Sequence, residues 1–249
     1  MPTPFTHLHI SLRLLDDALM PSVIRAYLGA HRSDFLLGGV VADQRPESGA
    51  RSDTHFYEYT RPMPDHPWRE MLRQHPTLQE PASDAHHVFL SGYVAHLAAD
   101  EYWSRHMLKP HFAEADWGTD IRGRFYLLHL LLITMDERDQ SRLPEYIGQT
   151  MRESYPQNWL PFLSDEKICD WRDFIAYQLE EDDSQTLTIF GGRIDTKPEE
   201  VRALLDDSAY MQRELWDHVS QQLLSEIETK LYAFAREQLL VYLNEFRYP

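Results

Sequence analysis

A chain of 249 residues with 43% hydrophobic and 12% aromatic side chains can bury a sizeable core without staples, and its lone Cys169 excludes an internal disulfide. Forty acidic residues against 24 basic ones give a formal charge of −16, which repels phosphate backbones and anionic membrane surfaces and disfavours nucleic-acid partners. The longest apolar stretch, Phe125 to Met135, has 11 residues interrupted by His129, far short of a bilayer span.

Met1-Pro2-Thr3-Pro4 has neither a basic segment nor an apolar signal core, so a cytoplasmic location is expected, where a single thiol stays reduced. Leu8, Leu12, Leu15, Leu19 and Val23 recur at three- and four-residue steps and predict one amphipathic helix over about 5–29, stopped near Gly29. Residues 30–83 carry Gly38-Gly39, Gly49 and the prolines at 46, 62, 64, 67, 76 and 81, and read as a long irregular loop holding a short helix near 68–73. Ser83 is the expected N-cap of a second helix running toward Met107, with Pro110 marking its end. A third covers about 119–139, apolar nearly all round and therefore central.

Residues 165–182 predict a further amphipathic helix that runs into the acidic stretch Glu180-Glu181-Asp182-Asp183. Thr186 to Asp195, with its Gly191-Gly192 pair, reads as a hairpin or an irregular loop. Pro198 then opens a region that stays helical nearly to the end. Its broad face of Leu223, Leu224, Ile227, Leu231, Phe234, Leu239 and Leu243 either completes the core or meets a second copy of the chain in a homodimer.

Twelve of the 13 histidines lie at or before His129, where an even spread would place about 7, so a site built from several imidazoles belongs to the first half. His96 and Asp100 lie one turn apart on one face of the second predicted helix, about 40° from each other. Phe89, Tyr93, Leu97 and Trp103 share that stripe, so the pair looks inward, where a carboxylate is costly unless paired or coordinated. The loop adds Asp43, just past the apolar run from Phe35 to Val41, and His55 between Thr54 and Phe56; coordination would tether a segment that no sheet holds. His7 occupies the first turn of the first helix, and His129 and Asp136 lie about 20° apart on one face of the third. His31, His66, His75, His86 and His87 fall in loop or cap settings where solvated imidazole is expected.

The order Thr6-His7-Leu8, Phe35-Leu36-Leu37-Gly38 through Ala42-Asp43, Thr54-His55-Phe56 and Gly92-Tyr93-Val94-Ala95-His96-Leu97-Ala98-Ala99-Asp100 resembles the zinc-dependent phospholipase C family of bacteria. Those are helical proteins related in fold to the single-strand-specific zinc nucleases, and the resemblance covers about residues 5–136. It implies one to three zinc ions, with Asp43, His55, His96 and Asp100 around a central one. Asp100 would bridge to a second ion bound by His7. A third would take His106, six positions after the bridging aspartate, with His129 from the next helix.

Three features depart from the family pattern. Met1-Pro2 does not match its chelating N-terminal tryptophan. Ile133 stands where it has a glutamate, which leaves Asp136 as the substitute. His106 lies about 120° round a regular helix from Asp100, so His111 is the competing choice.

The resemblance implies an all-α multi-helix bundle with a long metal-tethered loop, in which residues 1–140 form the metal-binding region and 141–249 a helical extension packed on it. The implied reaction is hydrolysis of a small-molecule or lipid phosphoester, with Asp43 and Asp100 as the catalytic carboxylates. The competing reading is a metal-stabilised binding module without turnover.

Overall fold

A computed structural model describes residues 2–46, 49–59, 61–180 and 185–246, and among these every regular element is helical: the chain is an all-α multi-helix bundle. The α-helices are α1 (Pro4–Asp16), α2 (Ser22–Ala30), α3 (Arg32–Val41), α4 (Ser52–His55), α5 (Pro67–Gln74), α6 (Asp84–Trp103), α7 (Ile121–Gln140), α8 (Ile147–Arg152), α9 (Asp165–Glu180), α10 (Thr186–Arg193), α11 (Pro198–Asp206), α12 (Ser208–Met211) and α13 (Gln221–Glu245). A 3-10 turn covers Pro76–Gln79, and wide π-type turns cover Ser104–Ala113 and Gln212–Trp216. No helix among the described residues is long and apolar enough to cross a membrane. Of the acidic stretch from Glu180 to Asp183 only Glu180 lies within the described residues, paired with Arg152.

The bundle is organised around α6. Ser83 caps its start by accepting from the His86 amide at 3.1 Å, and every residue from His86 to Glu101 is buried, so this helix has no solvent face. Both α3 and α13 pack along it, α1 lies on α3 and α7, and α10 and α11 lie on α7. The approach of α3 to α6 is set by glycine. A Cβ on Gly38 would lie 1.9 Å from the Phe89 carbonyl oxygen, and one on Gly92 would lie 2.2 Å from that of Phe35.

The long irregular loop expected over 30–83 is thereby corrected in its first part, which is the buried helix α3. Gly38-Gly39 look like chain breakers, but a glycine costs a helix only about 1 kcal/mol, and here it permits a backbone crossing that no side chain allows. Further on, α5 stands where the short helix was expected. The single helix expected over 5–29 is two. Pro21 has no N–H for a continuing helix, and the Asp17 carboxylate takes the Leu19 amide at 2.8 Å. Leu19 and Val23, counted into the apolar stripe, are exposed.

Thr186 to Asp195 is neither hairpin nor irregular loop; it is α10, whose Gly191 carbonyl accepts from Ile194 at 3.2 Å and Thr196 at 2.9 Å to close the helix. At the other end of the chain, Leu224, Ile227, Leu231, Leu239 and Leu243 of α13 are buried, largely on α6 of the same chain. Two ties fix that packing: Trp68 of α5 donates to Gln238 at 3.1 Å, and Arg138 of α7 forks onto Glu228 at 2.6 and 3.1 Å.

Candidate metal centre

Five side chains from four segments meet beside α6: His7 from α1, Asp43 from the turn after α3, His55 at the end of α4, and His96 and Asp100 from α6 itself. His7 Nε2 lies 3.3 Å from Asp100 Oδ1, while His55 Nε2 lies 3.3 Å from Asp100 Oδ2 and 3.6 Å from Asp43 Oδ1. His96 Nε2 is 3.6 Å from Asp100 Oδ2. Donor atoms of His7, Asp43 and His96 all lie within 4.8 Å of one another, as do those of His55, His96 and Asp100.

The backbone aims these groups. His96 Nδ1 is 2.9 Å from the Gly39 carbonyl, a bond that the glycine crossing of α3 and α6 brings into range and that turns Nε2 toward the cluster. His55 Nδ1 lies 3.0 Å from Thr54 Oγ1, and Tyr93 fixes that turn by donating to the Thr54 carbonyl at 2.7 Å. Trp171 of α9 donates to the Val40 carbonyl at 2.9 Å and holds the end of α3 from which Asp43 projects.

The Nε2 atoms of His7, His55 and His96, together with Asp43 Oδ2 and Asp100 Oδ1, are buried without a hydrogen-bond partner. Each such atom costs about 1–3 kcal/mol if nothing meets it, so five in one place are a poor way to build a core. Donors that each sit about 2 Å from a common ion are spaced about 3–4 Å apart, which is the spacing found. The residues therefore fit a divalent cation, and their nitrogen and oxygen donors suit zinc.

Electrostatics prepare the same state at four of the five groups; at His96 burial acts downward, but Asp100 and Asp43 outweigh it and raise the pKa. Burial lowers the pKa of His7, and burial with the nearby Arg51 guanidinium holds His55 at about 4, so both imidazoles are neutral with free lone pairs at pH 7. Burial acts upward on Asp43, but the close imidazoles of His55, His96 and His7 outweigh it and hold the carboxyl at about 2. Asp100 is ionised as well, held well below the usual carboxylate range against its burial by His96 and His7. The His7 and His96 rings stack 3.7 Å apart, a contact that disfavours two imidazolium cations at once.

Sequence reasoning missed Arg51. Its Nη2 donates to Asp100 Oδ2 at 2.8 Å, and its guanidinium lies 5.0 and 5.2 Å from the ring centres of Tyr57 and Tyr59. The available signal was its place four residues before His55, one helical turn away. Beside the cluster lies a cavity of about 280 Å³ whose polar wall includes Asp43, Arg51 and His55, and whose apolar wall includes Phe125, Leu128 and Phe190.

Three expected ligands fall outside the cluster, and His111 does not replace them. His106 is exposed and lies against Tyr102 with ring centres 4.2 Å apart, because the wide turn of Ser104–Ala113 does not bring it back to the face of Asp100. His129 lines the cavity with Nδ1 2.6 Å from the carbonyl of Phe125, one turn back in its own helix. Asp136 accepts from the Phe5 amide at 3.3 Å and from Thr186 Oγ1 at 2.5 Å, so it meets an orphan N–H in the first turn of the helix that carries His7. His86 and His87, expected in solvent, are buried: His86 stacks on Trp159 and His87 Nδ1 lies 2.9 Å from the Tyr27 hydroxyl.

Burial pushes the Asp136 carboxyl up to about 6 from an ordinary 3.8. The folded chain then holds this proton more tightly than the unfolded one, so stability falls as pH rises from about 4 through 6 and stays lower above that. Asp136→Asn is expected to remove this contribution, up to about 3 kcal/mol, and flatten the profile over that window. Urea melts across the window check it; an unchanged slope contradicts the assignment. No family model, curated protein or solved structure matches the chain, so the chemistry of the centre rests on its own residues.

Proposed function

We propose that this chain is a metal-dependent phosphoesterase, a zinc-dependent phospholipase C-like hydrolase that acts on small-molecule or lipid phosphoesters in the cytoplasm. The observation that carries the reading is the set of five buried, unpartnered donors at the wall of a cavity, since Asp43 and His55 belong to both. In a protein of charge −16 the same cavity is bordered by Arg45, Arg51 and Arg193, a local reversal that favours an anionic substrate.

When bound, a divalent ion supplies Lewis-acid polarisation of the phosphoryl group and lowers the pKa of water. The chain's own residues do the rest. Either His55, His96 and Asp100 or His7, Asp43 and His96 would hold the ion, the Gly39 carbonyl orients His96, and the apolar wall excludes water from the bound ester. Asp43, held at about 2, is a weak proton acceptor, so its work is chiefly positioning.

The test is turnover of a nitrophenyl phosphodiester by purified protein, abolished by a chelator and restored by zinc. Asp100→Asn is expected to lower the rate about a hundredfold or more, whereas Asp136→Asn, outside the cluster, changes it far less. Equal losses in the two variants contradict the hierarchy. A fully metallated protein that turns over no ester favours the metal-stabilised binding module.

A further inference from the structure

The two donor groups, His7–Asp43–His96 and His55–His96–Asp100, share one residue, His96. His96 Nδ1 is engaged with the Gly39 carbonyl as its donor, which leaves Nε2 a single lone pair, and one lone pair serves one ion. An ion that takes His55, His96 and Asp100 leaves only His7, Asp43 and the second oxygen of Asp100 for any other, a single imidazole with carboxylates. On Asp100, moreover, a cation is already in place, with Arg51 Nη2 2.8 Å from Oδ2. Among the described residues Asp100 alone accepts from this guanidinium, which lies beside two tyrosine rings and borders the cavity.

We propose that Arg51 takes the place of a second metal ion: the centre holds one divalent ion, and the Arg51 guanidinium is the second positive group, facing the cavity to bind a phosphoryl oxygen. The proposal rests on the reading of the centre as a phosphoester site. A guanidinium suits the task because its charge is permanent and its remaining N–H groups match phosphate oxygens in a planar fork.

The test combines metal stoichiometry with binding of inorganic phosphate. Wild-type protein loaded with zinc and gel-filtered is expected to retain one ion per chain. Arg51→Ala removes a charge that repels cations, so it is expected to hold its ion at least as tightly and to take up a second, weaker one. Calorimetry on the zinc-loaded variant is expected to show phosphate affinity reduced at least tenfold. Arg51→Lys keeps the charge but not the fork, and is expected to stay at one ion and recover part of the phosphate affinity. A purely structural arginine moves the first readout the other way, toward a weaker zinc site in the alanine variant.

Two tightly held ions in the wild type, weaker zinc binding in Arg51→Ala, or unaltered phosphate binding in that variant overturns the proposal. Should Arg51→Ala not fold, the wild-type stoichiometry and the same measurements on Arg51→Gln decide it. A wild type that takes up no zinc overturns the reading of the centre itself, which is a separate failure.

Discussion

Replacing His96 with alanine is expected to weaken zinc binding about a hundredfold or more and to abolish the stabilisation that zinc gives the fold. A structural zinc site contributes about 10–16 kcal/mol through about four ligands, so one ligand carries roughly 3 kcal/mol, or about two decades in affinity. His96 is the ligand common to both donor groups, and its loss also releases the Gly39 carbonyl. Zinc held by either donor group would tie α6 to the segments that carry its partners, so the wild type is expected to lose about 5–10 °C of melting temperature when a chelator strips a saturated site. The variant should melt at one temperature with or without chelator. His86→Ala is the control, because it removes another buried imidazole with an unpartnered Nε2 outside the cluster. Zinc affinity lost equally in both variants would count against the site.

Gly92→Ala carries the second large effect, and its sign opposes helix propensity. Alanine in place of a helical glycine normally gains up to about 1 kcal/mol. At Gly92 the added carbon would lie 2.2 Å from the Phe35 carbonyl oxygen and 2.8 Å from the Gly39 amide nitrogen, both backbone atoms that move only with α3. The expected cost is about 3 kcal/mol or more in urea melts. Because that shift carries the Gly39 carbonyl away from His96 Nδ1, zinc affinity should fall with stability. Gly29→Ala in α2 meets nothing within 4 Å and is expected to be neutral or mildly stabilising. Equal effects at the two glycines would contradict the crossing as the determinant.

The same crossing explains why part of the fold was illegible in the sequence. Helical periodicity and capping are local, so α6 with its Ser83 cap, α7, α9 and α13 could be read directly. The role of Gly38-Gly39 depends on a backbone more than 50 residues away, and without it the pair reads as a break. Leu19 and Val23 misled in the opposite direction, since they extend an apolar stripe past Pro21 while lying in solvent.

The site divides along similar lines. His96 and Asp100 stand out because a histidine and a carboxylate at helical spacing share an otherwise apolar stripe, and Asp43, His55 and His7 followed from their order along the chain. Asp136 was placed on the correct face, but its partners, the Phe5 amide and Thr186, lie on other helices. Arg51 offers only its place one turn before His55 as a signal, because an arginine in a polar loop reads as solvated and only folding sets it against Asp100.

Zinc-edge X-ray absorption on the protein loaded with one equivalent of the metal tests the centre most directly, since it reports ligand type and number around the ion. The expected spectrum shows two imidazole nitrogens with carboxylate oxygens and no sulfur, and the imidazole signal drops by one in His96→Ala. An ion coordinated by fewer than two imidazoles, by the thiolate of Cys169, or unaltered in its ligands by the His96 substitution would contradict the centre built from His7, Asp43, His55, His96 and Asp100.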